Sequence, residues 1–222
     1  MSIKIITTED GSHSLFDEQL NETYHSTRGA RGESLHVFIK EGLSYLLDKE
    51  PLTEVNILEV GLGTGLNAFL TAQFAKERKT KILLTSLEPY PIQPEIYQNL
   101  NFHRSQMEQE LLLQIHDGDW ERDLELTPHF SLHKSIARLE EFQSSAAFDL
   151  IYFDAFAPSK QPDVWSIENL RKCHAFLREG GVITTYCAQG QFKRNLSDAG
   201  FKVETLQGAM GKKEMVRGVK MR

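Results

Sequence analysis

The stretch Ile57-Leu58-Glu59-Val60-Gly61-Leu62-Gly63-Thr64-Gly65-Leu66-Asn67 constrains this chain more than any other. An apolar run leads into an acidic residue, three glycines follow at alternate positions, and a helix-like run extends from Leu66 to Lys76. The pattern predicts a strand, a tight turn and a helix N-terminus. Glycine tolerates positive φ and lets a ligand approach the backbone with no Cβ in the way. The spacing is Gly-x-Gly-x-Gly, whereas loops that seat a dinucleotide pyrophosphate run Gly-x-Gly-x-x-Gly. Glu59, just before the loop, would repel a phosphate. It suits a cationic ligand, such as the ammonium and sulfonium of S-adenosyl-L-methionine (SAM).

The same alternation of apolar runs and helical spacing continues along the chain. Strands are predicted over 55–60, 81–87, 130–136, 148–153 and 182–186, and a terminal hairpin pairs 201–206 with 214–219. Helices are predicted over 33–47, 105–113, 166–177 and 191–198, with a further one following the third strand through Phe142. Gly180-Gly181 and Gly200 are read as helix stops. Residues 3–17 read as a hairpin around Asp10-Gly11, and Tyr24 to Gly32 as a loop. The core strands are continuously apolar, which implies a mostly parallel sheet covered on both faces. The expectation is an α/β, Rossmann-like fold with a seven-stranded sheet and an antiparallel C-terminal hairpin. Residues 1–50 are read as a hairpin-and-helix extension packed on a core of 51–222.

Composition narrows the function classes. With 222 residues and 40% apolar content, one well-packed core is expected. The N-terminus has no signal-peptide pattern, and no apolar run is long enough to cross a bilayer. Cys173 and Cys187 fit a reduced, cytoplasmic protein. Neither belongs to a Cys-x-x-Cys pair and the histidines are scattered, so no metal site is expected. The net charge of −6 hides an asymmetry: eight Lys/Arg and three Asp/Glu in residues 193–222 make that segment +5, leaving −11 for the rest.

Ligands on parallel sheets sit beyond the carboxyl ends of the strands. Glu88 ends the second core strand, 23 residues after Gly65. A carboxylate there can accept both hydroxyls of a ribose. Ser135 and Ile136 end the third strand, where a hydroxyl or backbone amide and an apolar side chain would clasp an adenine. Asp154 follows the very apolar fourth strand and leads into Ala155-Phe156-Ala157-Pro158-Ser159-Lys160. It would face the transferable group of a ligand held by the glycine loop, orienting an amine nucleophile and accepting its proton. The alternative, a helix-capping role, is credible for Asp163 and less so for Asp154.

Four segments together resemble one family. They are Tyr24-His25-Ser26 with Glu33-Ser34 and Val37-Phe38; Glu59 through Asn67; Asp154 through Lys160 with Pro162-Asp163-Val164-Trp165; and Gly208 to Gly218, containing Gly211-Lys212-Lys213-Glu214-Met215. They resemble the methyltransferase part of the bacterial tRNA 5-methylaminomethyl-2-thiouridine biosynthesis (MnmC) family, in its stand-alone form. The resemblance implies a class I SAM-dependent methyltransferase that methylates the aminomethyl group of the tRNA wobble uridine. It assigns SAM to Gly61, Gly63 and Gly65, with Glu59 and Asn67 flanking them, the ribose to Glu88, and the reacting amine to Asp154. Phe156 and Tyr24 are candidates to stack on a flipped-out uracil. The chain departs from the family in two places. It has no segment for the FAD-dependent domain of the bifunctional enzymes, so no FAD is expected and a separate upstream enzyme would supply the amine. It also has Ser135 where the family often carries an acid. Basic candidates for tRNA are Arg28, Arg31, Lys160, Lys212, Lys213 and Arg217. The alternatives are a SAM-dependent N-methyltransferase of another amine, an NAD-dependent oxidoreductase, disfavoured by the glycine spacing, and an inactive RNA-binding domain.

Overall fold

The computed structural model describes residues 3–221. Met1, Ser2 and Arg222 lie outside the described residues. Three short strands open the chain: β1 (Ile3–Thr7), β2 (His13–Asp17) and β3 (Glu22–Thr23) form a small antiparallel sheet. β1 and β2 pair from Ile3↔Asp17 to Thr7↔His13 around the Asp10-Gly11 turn. A helical stretch follows, as α1 (Ala30–Ser34), a π-helical segment (Leu35–Ser44) and α2 (Tyr45–Lys49). Its inward face, Val37, Phe38, Ile39, Leu43 and Leu46, is buried.

The body alternates β4 (Glu54–Val60), α3 (Leu66–Arg78), β5 (Lys81–Leu87), α4 (Pro94–Tyr97), α5 (Gln106–Asp117), β6 (Asp123–Thr127), β7 (Phe130–Ser135), β8 (Phe148–Phe153), α6 (Ile167–Phe176), β9 (Leu177–Thr185), α7 (Gly190–Asp198), β10 (Phe201–Gln207) and β11 (Glu214–Lys220). The main sheet has eight strands in the order β10-β11-β9-β8-β4-β5-β7-β6. Its five central strands run parallel, and β6, β11 and β10 pair antiparallel.

The continuous apolarity of the strands has a direct cause. Neighbouring residues point to opposite faces, and both faces are covered. Leu150 and Tyr152 of β8 pack with Phe38, Leu66 and Phe69 on one side. Ile151 and Phe153 pack with Trp165, Leu170 and Phe192 on the other. Each side chain buried this way contributes about 1.5–3 kcal/mol of hydrophobic stabilisation.

Three expectations are corrected. The sheet gains an eighth strand, β6, whose Leu124 and Leu126 alternate with polar residues along an edge. No helix follows β7; the segment before Phe142 is a turn closed by Phe142 N–H on Arg138 C=O. Finally, α6 ends at Phe176, and Gly180-Gly181 lie inside β9 rather than stopping the helix.

Candidate active site

The chain moves outward from β4 to β5 and β7, then returns to β8 and β9 on the other side of β4. Ligands of open α/β sheets bind beyond the carboxyl ends of the strands at such a reversal. A cleft of about 1000 Å3 opens there, with Gly61, Gly63, Asn67, Glu88, Asp154 and Phe156 among its lining residues.

The glycines have separable tasks. Gly61 has φ +97°, and a Cβ on it would sit 2.6 Å from the Asp154 carbonyl oxygen. This first glycine therefore lets the loop after β4 lie against the loop after β8. The Gly63 N–H donates to Glu88 Oε2 at 2.9 Å, and the Tyr90 N–H donates to Oε1 at 2.9 Å. Two backbone amides thus orient the Glu88 carboxylate beside the loop. Burial raises its pKa, against the pull of those two amides. Gly65 caps α3 at φ +72°, and its missing Cβ makes room for the His116 ring. It shapes the turn and does not line the cleft.

Asp154 lies directly after β8, with its N–H bonded to Val60 C=O at 3.0 Å. Burial raises its pKa to about 7, with the Asn67 amide and Lys212 opposing the rise and Glu33 adding to it. The Asn67 side-chain amide, in the first turn of α3, donates to Asp154 Oδ2 at 2.8 Å. Glu59 is fully buried on β4 beneath the loop, accepts from Ser86 Oγ, and does not line the cleft. Its pKa is raised to about 8, chiefly by burial, with Asp154 and Glu88 contributing repulsion.

The aromatic pair is assembled from distant segments. Tyr24 and Phe156 meet edge to face, with ring centroids 4.8 Å apart. No base fits between them, so only their cleft-facing surfaces are free to stack. Ser135 and Ile136 are not brought into the cleft. Ser135 Oγ and the Ile136 N–H both donate to Glu121 Oε1, at 3.0 and 2.8 Å, and the Ile136 side chain faces solvent. Leu87, Tyr90, Ala137, Arg138 and Leu139 form that wall instead.

The basic residues also divide. Arg217 is buried, pairing with Glu41 and Glu204. Arg31 donates to Phe102 C=O and Gln73, and Lys160 to Leu20 C=O at 2.8 Å. Arg28 and Lys213 are exposed. Lys212 lines the cleft, where its Nζ bonds Glu33 Oε1 at 2.5 Å and lies 4.7 Å from the centre of the Tyr186 ring. Sequence reasoning missed this Glu33–Lys212–Tyr186 group as a cleft wall. It also missed His25, a buried cleft-lining histidine whose pKa burial lowers to about 4. Among the described residues no group of three or more His, Cys, Asp or Glu could hold a metal ion, and no helix is long and apolar enough to cross a membrane.

A family model described as S-adenosyl-L-methionine-dependent methyltransferase matches residues 85–221. The tRNA 5-methylaminomethyl-2-thiouridine biosynthesis bifunctional protein MnmC of Campylobacter hominis is 30% identical over 212 residues, covering 91% of this chain and 31% of that protein. The protein of the same name from Leptospira interrogans is 30% identical over 212 residues, covering 90% and 33%. The chain thus spans about a third of the length of these relatives. Among solved structures, MNMC2 from Aquifex aeolicus superposes with a TM-score of 0.78 at 25% identity, over 100% of this chain and 71% of that one. The citrinin polyketide synthase CMeT domain, with a TM-score of 0.51 at 12% identity over 81% of this chain and 50% of that one, shares the fold alone.

Proposed function

The chain belongs to the S-adenosyl-L-methionine-dependent methyltransferases, and on that basis we propose that it methylates the aminomethyl group on the wobble uridine of tRNA. The product is 5-methylaminomethyl-(2-thio)uridine. The observation that carries this reading is the meeting, in one cleft, of Glu88 beside the glycine loop with Asp154 at the end of β8. The names of the matched MnmC proteins support the tRNA substrate.

The residues present fit the cofactor. Gly61 and Gly63 keep the loop free of side chains, and Glu88 offers a fixed acceptor for two ribose hydroxyls. The wall of Leu87, Tyr90 and Leu139 offers apolar surface for adenine. When bound, SAM supplies a methyl group already activated on a sulfonium. The protein's part is positional: an amine held in line with the breaking bond loses the entropic part of its barrier. Asp154 accepts the amine's N–H and takes its proton as the new C–N bond forms. With a pKa of about 7, it is available as an acceptor at neutral pH. The uracil must leave the stack to reach it and lies on Phe156 and Tyr24.

The cleft also favours a primary amine over its carboxymethyl form. Glu33, Glu88, Asp154 and Asp163 are among the acids that line it, whereas its cations Lys160, Lys212 and Arg138 are held by Leu20 C=O, Glu33 and the Tyr90 hydroxyl. A substrate carboxylate would meet like charge in a partly buried site. A separate enzyme then supplies the aminomethyl form. The test gives the protein tritiated SAM and, in turn, tRNA with the aminomethyl or the carboxymethylaminomethyl group, followed by nucleoside analysis. Label is expected in 5-methylaminomethyl nucleoside from the first tRNA only. Equal labelling of both forms, or of neither, overturns the reading.

A further inference from the structure

The sequence places Glu59 against the cofactor's positive charge, yet it is 0% exposed and does not line the cleft. Its surroundings are unusual for a carboxylate. Across β5, Ser86 Oγ donates to Oε2, while Oε1 has no hydrogen-bond partner. The charged and titratable groups around it are Asp154 after β8, Glu88 after β5 and Tyr152 on β8, and among the described residues no cation pairs with Glu59. Burial and acidic neighbours hold the proton on this carboxylate, outweighing the pull of the Ser86 and Asn67 donors. On the α3 side, the Asn67 side chain lies close enough to Glu59 that its NH2 favours the charged carboxylate, while the same NH2 is hydrogen-bonded to Asp154 Oδ2. Asn67 Oδ1 is a second buried polar atom without a partner.

These two orphan atoms complement each other. A protonated Glu59 has an O–H to give, and Asn67 Oδ1 is a free acceptor. With its oxygen engaged, the Asn67 NH2 can turn only outward, to Asp154 Oδ2 at 2.8 Å. We propose that Glu59 serves methyl transfer as a neutral positioning residue, fixing Asn67 so that its amide donates to Asp154 and holds that carboxylate toward the amine. The inference rests on the reading that Asp154 meets the amine. Donation then runs one way, from Ser86 to Glu59 to Asn67 to Asp154, and places the only negative charge of the series at its cleft end. If Glu59 ionises, its oxygens compete for the same Asn67 NH2 and Asp154 loses its fixed donor.

The test uses the full chain, tritiated SAM and tRNA carrying the aminomethyl group. Glu59→Gln reproduces the neutral acid, its NH2 replacing the O–H. It is expected to keep kcat within about threefold of the parent at pH 7, while Glu59→Ala loses at least tenfold. In the parent, kcat falls as pH rises through about 8, where Glu59 ionises; in Glu59→Gln that fall is absent. SAM affinity, read by calorimetry, is expected to stay within threefold for Glu59→Gln. Asp154→Asn, expected to lose at least a hundredfold in kcat with SAM binding retained, separates the two readings. If Asp154→Asn is inactive while Glu59→Gln keeps the alkaline fall, matches its loss of kcat, or binds SAM more than tenfold worse, the positioning role alone is overturned. If Asp154→Asn is fully active, both readings fall.

Discussion

Glu88 shows how much a single carboxylate can be asked to do. Its two oxygens accept from Gly63 and Tyr90, so they are aimed before any ligand arrives. Removing a buried hydrogen-bond partner costs about 1–3 kcal/mol. Glu88→Ala is therefore expected to weaken SAM binding roughly ten- to a hundredfold by calorimetry, with the far-ultraviolet circular dichroism unchanged. An unchanged dissociation constant would remove Glu88 from the ribose site. At this scale the sequence was readable wherever an acid ended an apolar run, as at Glu88 and Asp154. It was not readable where the decisive partner is remote. Nothing around Lys212 reveals that Glu33, 179 positions earlier, holds its ammonium. Nothing around Ser135 reveals that Glu121 has already taken its hydroxyl. For Glu59 the depth was hidden, because a glycine loop reads the same whether the acid lies above or below it.

The loop after β4 and the loop after β8 behave as one element. Gly61 meets the Asp154 carbonyl so closely that any side chain must push the two apart. Its φ of +97° adds backbone strain for any L side chain. Gly61→Ala is expected to lower both thermal stability and methyl transfer, the latter at least tenfold, because Asp154 is displaced. Gly65→Ala also sits at positive φ and meets His116. It is expected to lower stability with a smaller loss of kcat at permissive temperature. Equal kcat losses in the two variants would contradict the division of tasks between the glycines. Elements were legible where both faces are buried: β4, β5 and β8 follow largely continuous apolar runs. The edge strand β6 escaped because Leu124 and Leu126 are its only apolar residues. Its strict alternation was the signal available. The end of α6 is not legible because Gly180-Gly181 reads as a stop, whereas Leu177 already turns into the sheet.

At the scale of the molecule, buried titratable groups pull the pH dependence in opposite directions. Glu59 and Asp154 have pKa values raised to about 8 and 7 from ordinary values of 4.5 and 3.8. The stability linked to their neutral forms is fully present below those ordinary values and is lost as pH rises through 7 to 8. His25 and His116 are lowered to about 4 from 6.5. Their contribution is present above 6.5 and lost as pH falls through 4. Glu59→Gln removes one group from the alkaline side only. Its melting temperature relative to the parent is therefore expected to rise between pH 5 and pH 8, and a constant difference would contradict the buried, protonated Glu59. The charge asymmetry visible in the sequence survives only in part. Arg217 is spent inside the fold and Lys212 is held by Glu33, while Arg194, Lys202 and Lys213 of the basic C-terminal segment remain exposed. The cleft itself draws Tyr24 and Glu33 from near one end of the chain and Lys212 from near the other. It is therefore closed only after residue 212 has been synthesised. While the β10–β11 turn is still inside the ribosome, the glycine loop and Asp154 have emerged but Glu33 has no ammonium to meet. Translation thus imposes an order on the protein: the parallel strands β4, β5, β7, β8 and β9 can pair first, and the wall carrying Lys212 joins them only as β11 emerges.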